Sequence, residues 1–158
     1  MSPLTHSPFR RAAGLVFALL AAHGLAAPLT AQGRSAEDTK TIDGYRLTMP
    51  VLRKVLPALY ATGAESCERR KDRDPHTLSL AEMTRSLESC APVLEALGRA
   101  GVRPREAALV FASLLRTGQQ VAMQGGNARA LKPGALRDNA LLLEQNDAEL
   151  SRLTKTGA

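Results

Sequence analysis

The chain has 158 residues, a formal net charge of +6 and five aromatic residues, none of which is tryptophan. This length is enough for one domain and too short for two of ordinary size. The charge alone would suit an anionic partner, but a nucleic-acid platform also needs aromatic side chains on which bases stack, so we expect no nucleic-acid binding.

The amino-terminal stretch has the pattern of an export signal. Arg10 and Arg11 precede an apolar run over residues 12–22, which is too short to span a membrane comfortably. We therefore expect residues 1–31 to be a signal peptide and the mature protein to be exported, either periplasmic or secreted. A mature start near Ala27 is a second plausible cleavage point, and a retained membrane anchor is the alternative to removal. Cleavage before Gln32 would remove two basic residues and no acidic ones, which leaves a net charge of +4.

The next two segments differ sharply in pattern. Residues 32–45 are polar and show no hydrophobic periodicity, which predicts a disordered linker. Residues 46–158 carry helical periodicity and predict a single helical domain. Its first helix follows Thr48, a suitable N-cap, and has Pro50 in the first turn. Pro57 should kink or break this helix, after which it would continue only weakly.

Three further helices are indicated in the middle of the chain. The highly charged segment 68–75 is an exposed connection, after which Ser79 and Glu82 have the spacing of a capping box that begins a helix. A short helix over residues 92–99 comes next. The one after it, residues 104–124, is apolar almost all round its first three turns, as expected of a helix surrounded by neighbours.

A last helix is expected from about residue 136 to Leu153, and no strand-like alternation occurs in the sequence. The predicted fold class is therefore all-α. We expect a small bundle of four to five helices around the central apolar helix at about residues 104–124.

Both cysteines lie beyond the predicted leader. Cys67 and Cys90 predict a disulfide, because an exported chain meets an oxidising compartment in which an even pair tends to close. In a regular helical hairpin, however, their unequal distances from the turn would separate them by about 10 Å. Early fraying of the first helix near Gly63 would remove this objection. Two free buried thiols are the alternative.

The residue types of common enzymes and metal sites are scarce. His76 is the only histidine beyond the leader, and its position in the charged loop predicts a solvated residue without a metal centre or a Cys-His dyad. An acidic pair could be drawn from Glu82, Glu88 and Glu95, although solvated carboxylates are the simpler interpretation. We expect no enzyme activity and no cofactor.

Two basic clusters could contact an anionic surface such as lipid head groups or envelope polymers. One covers residues 69–73, and the other consists of Arg99, Arg103 and Arg105. Acidic residues are interspersed among them, so a solvated face of mixed charge is the simpler interpretation.

Several short patterns follow one another along residues 45–153. They are Tyr45 to Thr48, the helix that starts at Pro92 and stops at Gly101, the triplet Pro104-Arg105-Glu106 before an apolar helix, and a late segment from Asn139 to Leu150. In this order the chain resembles a group of small exported bacterial proteins of unknown function, a resemblance that transfers no activity. The chain departs from that group at Pro50, where an acidic residue is common, and in its cysteine pair.

These observations predict a non-catalytic binding or interaction module whose partner is an unknown protein or envelope component. The alternative is a carrier of apolar ligands or lipids that uses a groove between alanine-rich helices. Arg105 and Glu106 are explained by helix initiation, but they could instead mark a polar contact with a partner.

Overall fold

The computed structural model describes residues 34–64, 67 and 74–155, and this part of the chain is all-α, with seven α-helices and no strand. The predicted fold class is confirmed, with more helices than expected. The signal peptide predicted for residues 1–31 and the basic cluster at residues 69–73 lie outside the described residues. The helices are α1 (Ala36–Gly44), α2 (Met49–Leu59), α3 (Leu80–Glu88), α4 (Ala91–Arg99), α5 (Pro104–Met123), α6 (Ala135–Gln145) and α7 (Asp147–Lys155), with a short 3-10 helix at Ala128–Ala130.

Helix α1 occupies most of the segment predicted to be a disordered linker, so the prediction for residues 32–45 is wrong over α1. Ser35 caps the helix: its hydroxyl accepts a hydrogen bond from the backbone N–H of Asp38 at 2.9 Å. Ile42 is fully buried against α3 and α5 and anchors the helix to the core. A single buried residue in a helix of nine leaves no periodic pattern to detect, because periodicity needs at least two apolar turns.

Helix α2 continues through Pro57 and ends two residues later, at Leu59. The break expected at the proline is therefore absent, and so is the weak continuation expected beyond it. The buried side of α2 consists of Leu52, Val55, Leu56 and Ala58.

Cys67 and Cys90 form the predicted disulfide, with their Cα atoms 5.6 Å apart. The early end of α2 removes the geometric objection, because the chain turns near Gly63 instead of continuing as a helix. Gly63 has a φ of +91°, and a Cβ added there would lie 3.3 Å from Cγ of Pro92, so glycine suits this turn best. The disulfide thus fastens the loop after α2 to the residue that precedes α4.

Helix α5 is the centre of the bundle, as predicted, and contacts α1, α2, α3, α4 and α6. Most of its buried side chains are small, which lets the neighbouring helices approach closely. The buried positions are Ala107, Ala108, Val110, Ala112, Ser113, Leu115, Thr117, Gly118 and Val121.

The single helix predicted at the carboxyl end is wrong in one respect, since the chain divides there into α6 and α7 at Asn146. The side-chain amide of Asn146 donates a hydrogen bond to the carbonyl oxygen of Leu142 at 2.8 Å, a local contact that competes with helix continuation. The break redirects α7 toward α2, where Leu150 enters the apolar cluster that contains Leu52 and Leu97.

Asn139 links α6 to the segment between α1 and α2. Its side chain is 1% exposed, its Oδ1 accepts a hydrogen bond from the backbone N–H of Leu47 at 2.8 Å, and its Nδ2 donates one to the carbonyl oxygen of Tyr45 at 2.8 Å. One side chain therefore satisfies two backbone groups that no helix pairs.

Candidate functional site

A groove of about 600 Å³ runs between α2 and α4 and continues along the turn after α2. Small apolar residues from both helices line it, and longer charged side chains stand at its edges. The small residues are Pro57, Ala58, Ala61, Pro92, Ala96 and Ala100, and the polar ones are Arg53, Lys54, Thr62, Glu95 and Arg99. We call this surface the α2–α4 groove. Its form follows from the sequence, because alanine and proline at facing positions leave space that larger side chains would fill.

The edges of the α2–α4 groove carry more positive than negative charge. Arg99 lies 3.7 Å from Glu95, and both side chains are more than two-thirds exposed, so this pair is weak. Lys54 is exposed and makes no ion pair within the described part of the chain. Arg53 makes two hydrogen bonds to Glu149 of α7, with Nε to Oε1 at 2.6 Å and Nη2 to Oε2 at 3.2 Å. That carboxylate comes from outside the groove and holds the arginine at its edge.

The pKa of Glu149 provides a direct test of the Arg53–Glu149 ion pair at the edge of the groove. The hydrogen bond from Arg53 lowers the pKa of Glu149 from its usual value, and burial opposes the shift less strongly. Because the folded pKa lies below the unfolded one, the pair contributes stability above the unfolded pKa and loses it as the pH falls through the folded pKa. We expect a carbon-13 NMR titration to find the Glu149 carboxyl more acidic than an ordinary glutamate and Arg53→Gln to reverse that shift. An identical titration in the variant would contradict the pair.

A second, more enclosed cavity of about 210 Å³ lies among α1, α5 and the segment that leads into α3. We call it the two-arginine cavity, after Arg34 and Arg116. The Arg116 guanidinium binds both carboxylate oxygens of Asp43, with Nε to Oδ1 at 2.8 Å and Nη2 to Oδ2 at 3.2 Å. The other residues that line the cavity are Thr39, Ile42, His76, Thr77 and Gln119.

Sequence reasoning missed most of the two-arginine cavity. His76, predicted to be a solvated loop residue, is half-buried and lines it. Arg34 and Asp43 both lie in the segment predicted to be a linker, residues 32–45, so neither was considered. One signal was available, because Arg116 is the only charged residue in the otherwise uncharged stretch 107–124. An isolated charge on a central helix usually has a partner, which here is Asp43.

The structure does not bring Arg105 and Glu106 into either cavity. Arg105 is exposed and Glu106 is half-buried in the first turn of α5, and neither makes an ion pair in the described ranges. Burial raises the pKa of the nearby Tyr45 hydroxyl from its usual value, and the charge of Glu106 adds to that shift. Their position fits helix initiation, and the proposed polar contact with a partner stays a prediction.

Two of the three predicted acidic candidates have separate structural partners, and the third, Glu88, is exposed at the end of α3. Glu82 completes the predicted capping box with Ser79 at the start of α3, which is confirmed, and Glu95 lies beside Arg99. Among residues 34–64, 67 and 74–155, no group of three or more histidine, cysteine, aspartate or glutamate side chains is arranged to hold a metal ion. Over the same residues, no helix has both the length and the apolar character needed to cross a bilayer.

Comparison with known proteins gives no relative for this chain: no protein-family model, no curated protein and no solved structure matches it.

Proposed function

We propose that the protein is an exported, non-catalytic interaction module that holds its partner in the α2–α4 groove. The observation that carries this proposal is the combination of small apolar residues along the groove with Arg53, Lys54 and Arg99 at its edges. Small residues let a partner's chain approach closely, and the charged edges favour an acidic segment over a basic one. The partner is therefore expected to be a protein or envelope component with an apolar face flanked by negative charge.

Export is part of the proposal. Two features support it: the leader pattern predicted at residues 1–31, and the Cys67–Cys90 bond, which is compatible with an oxidising compartment. The disulfide also bears on the groove, because it fixes the turn beside Pro92, one of the groove-lining residues. A groove that lies next to a covalently fixed turn needs less ordering when a partner binds.

The α2–α4 groove also supports the alternative, a carrier of apolar ligands or lipids. Its alanines and prolines form an apolar surface, and the flanking cations would suit a lipid with an anionic head group. Native mass spectrometry separates the two functions. A small-molecule mass that leaves the protein on denaturation indicates the carrier, whereas a stoichiometric protein complex indicates the interaction module.

The groove itself can be tested by photo-crosslinking in the organism that makes the protein. A photoreactive amino acid replaces Lys54 at the groove edge and, in a matched control, the exposed Lys132 outside the groove. We expect the Lys54 position to give one discrete crosslinked species and the Lys132 position to give none.

A second variant connects that species to the groove. Ala96→Trp places a large side chain in the groove and should abolish the crosslink from Lys54, whereas Ala148→Trp on the exposed side of α7 should leave it unchanged. Circular dichroism and thermal unfolding verify that both variants fold. Equal crosslinking from Lys54 and Lys132, or persistence of the species in folded Ala96→Trp, would contradict the proposal.

A further inference from the structure

The two-arginine cavity has features that a purely structural cluster does not require. Arg34 is half-buried, yet its guanidinium contacts backbone carbonyls instead of a carboxylate: Nε donates to the oxygen of Leu78 at 3.0 Å and Nη2 to that of Pro75 at 3.4 Å. Neutral carbonyls fix the orientation of the side chain and leave its positive charge without a directly bonded counter-ion. Nη1 of Arg34 has no acceptor among the described residues.

The second guanidinium increases the local positive charge. Burial lowers the pKa of Arg34 from its usual value, the carboxylate of Asp38 opposes this shift, and the nearby Arg116 reinforces it. The two arginines share this cavity with a single lining carboxylate, that of Asp43. Both oxygens of that carboxylate accept hydrogen bonds from Arg116, and the charges of Asp43 and Asp74 oppose the lowering of the Arg34 pKa, as that of Asp38 does.

One oxygen of each of the two carboxylates near the cavity, those of Asp38 and Asp74, is already paired with a backbone N–H group. Asp38 accepts from the backbone N–H of Leu80 at 3.1 Å, and Asp74 accepts from that of His76 at 2.9 Å. Oε1 of Gln119 accepts from Nη1 of Arg116 at 3.4 Å, which leaves the Gln119 amide N–H groups as donors. Nη1 of Arg34 and the amide N–H groups of Gln119 therefore remain as donors, and a ligand that supplies acceptor oxygens and negative charge would complete them.

We infer that the two-arginine cavity is a binding site for a small tetrahedral oxyanion, phosphate or sulfate, held by the guanidiniums of Arg34 and Arg116 and by the amide of Gln119. The volume of about 210 Å³ has room for such an ion with water or for a small phosphate monoester, and its enclosed shape disfavours larger ligands. This site shares no lining residue with the α2–α4 groove, so the inference does not depend on the function proposed for the groove.

The test is a titration of the folded protein with inorganic phosphate, followed by nitrogen-15 NMR of the arginine Nε–H signals. Potassium chloride at equal ionic strength serves as the control for general screening. We expect the Arg34 and Arg116 signals to shift saturably with phosphate and not with chloride, while the signal of Arg46, which pairs with Asp138 on the surface, stays in place. Parallel titrations with sulfate and methyl phosphate show whether the site takes a free dianion or a monoester.

Two variants connect the shifts to the cavity. Arg34→Gln removes one of the guanidiniums, and Gln119→Glu replaces a donor by a negative charge of nearly the same shape. Each should weaken phosphate binding about tenfold or more, because each removes a charge-assisted contact or adds repulsion. Arg46→Gln carries the same charge change as Arg34→Gln outside the cavity and should bind phosphate like the parent.

The half-buried Gln119 lies on the side of α5, so its glutamate variant tests the site even if Arg34→Gln does not fold. Phosphate shifts that match those of chloride, or that persist unchanged in folded Gln119→Glu, would overturn the inference.

Discussion

Replacing Asn139 with alanine is expected to lower the free energy of unfolding by about 2–4 kcal/mol, because each buried polar group left without a partner costs about 1–3 kcal/mol. The truncation would leave two backbone groups without a hydrogen-bond partner, the N–H of Leu47 and the carbonyl of Tyr45. Both bond to a side chain that is only 1% exposed. Urea unfolding followed by circular dichroism measures the loss.

Two comparison variants show whether the hydrogen bonds are responsible. Asn127→Ala removes an exposed asparagine that caps only the short 3-10 helix, and it should cost about 1 kcal/mol or less. Asn139→Asp keeps the acceptor for Leu47 but loses the donor to Tyr45, so it should also destabilise the protein at neutral pH. Equal losses of unfolding free energy in Asn127→Ala and Asn139→Ala would contradict a larger contribution from the buried hydrogen bonds of Asn139.

Loss of the Cys67–Cys90 disulfide should also have a large effect, about 3 kcal/mol. The bond joins residues 23 positions apart, and in the chain-entropy account closing a loop of that length restricts the unfolded chain by roughly this amount. Alanine is the appropriate replacement, because Cys90 lies in the apolar core and a serine hydroxyl there would add a separate penalty.

Reduction provides the matched measurement. A thiol reductant should lower the unfolding midpoint of the parent protein to near that of the Cys67→Ala, Cys90→Ala double variant, and it should leave the double variant unchanged. A parent protein whose unfolding midpoint does not change once the disulfide is fully reduced, or a double variant as stable as the parent, would contradict the expected contribution.

The parts of the fold that the sequence predicted are those set by local chemistry. Ser79 and Glu82 stand at the spacing of a capping box, and Pro104 suits a first turn, so the starts of α3 and α5 could be predicted from a few adjacent residues. The central place of α5 was also predictable, because few polar residues interrupt its first three turns.

The wrong predictions concern helix boundaries that depend on a single side chain and on the contacts that it makes in the folded protein. Helix α1 depends on Ile42, whose burial requires α3 and α5 to be in place. The division between α6 and α7 depends on Asn146, which reads from sequence as an ordinary helical residue.

The two-arginine cavity could not have been assembled from the sequence for a related reason. Arg116 and Asp43 are 73 residues apart, and Arg34 reaches Leu78 across 44. No local pattern reports such distances, and Asp43 was hidden in a segment taken for a linker. The α2–α4 groove was not located from the sequence either, since the alternative of a groove between alanine-rich helices did not say which helices form it.

The contacts of Asn139 and Glu149 have a consequence for the order in which the molecule can be assembled. Asn139 forms hydrogen bonds with Leu47 and Tyr45, which lie 92 and 94 positions earlier in the chain. Glu149 forms hydrogen bonds with Arg53, which lies 96 positions earlier. A chain emerging from the ribosome could form the α3 to α5 region early, but the segment between α1 and α2 must wait for α6 and α7 before its backbone groups and apolar side chains are covered. Such late, long-range closure slows folding, because the entropy cost of closing these long loops must be met before the contacts stabilise the fold.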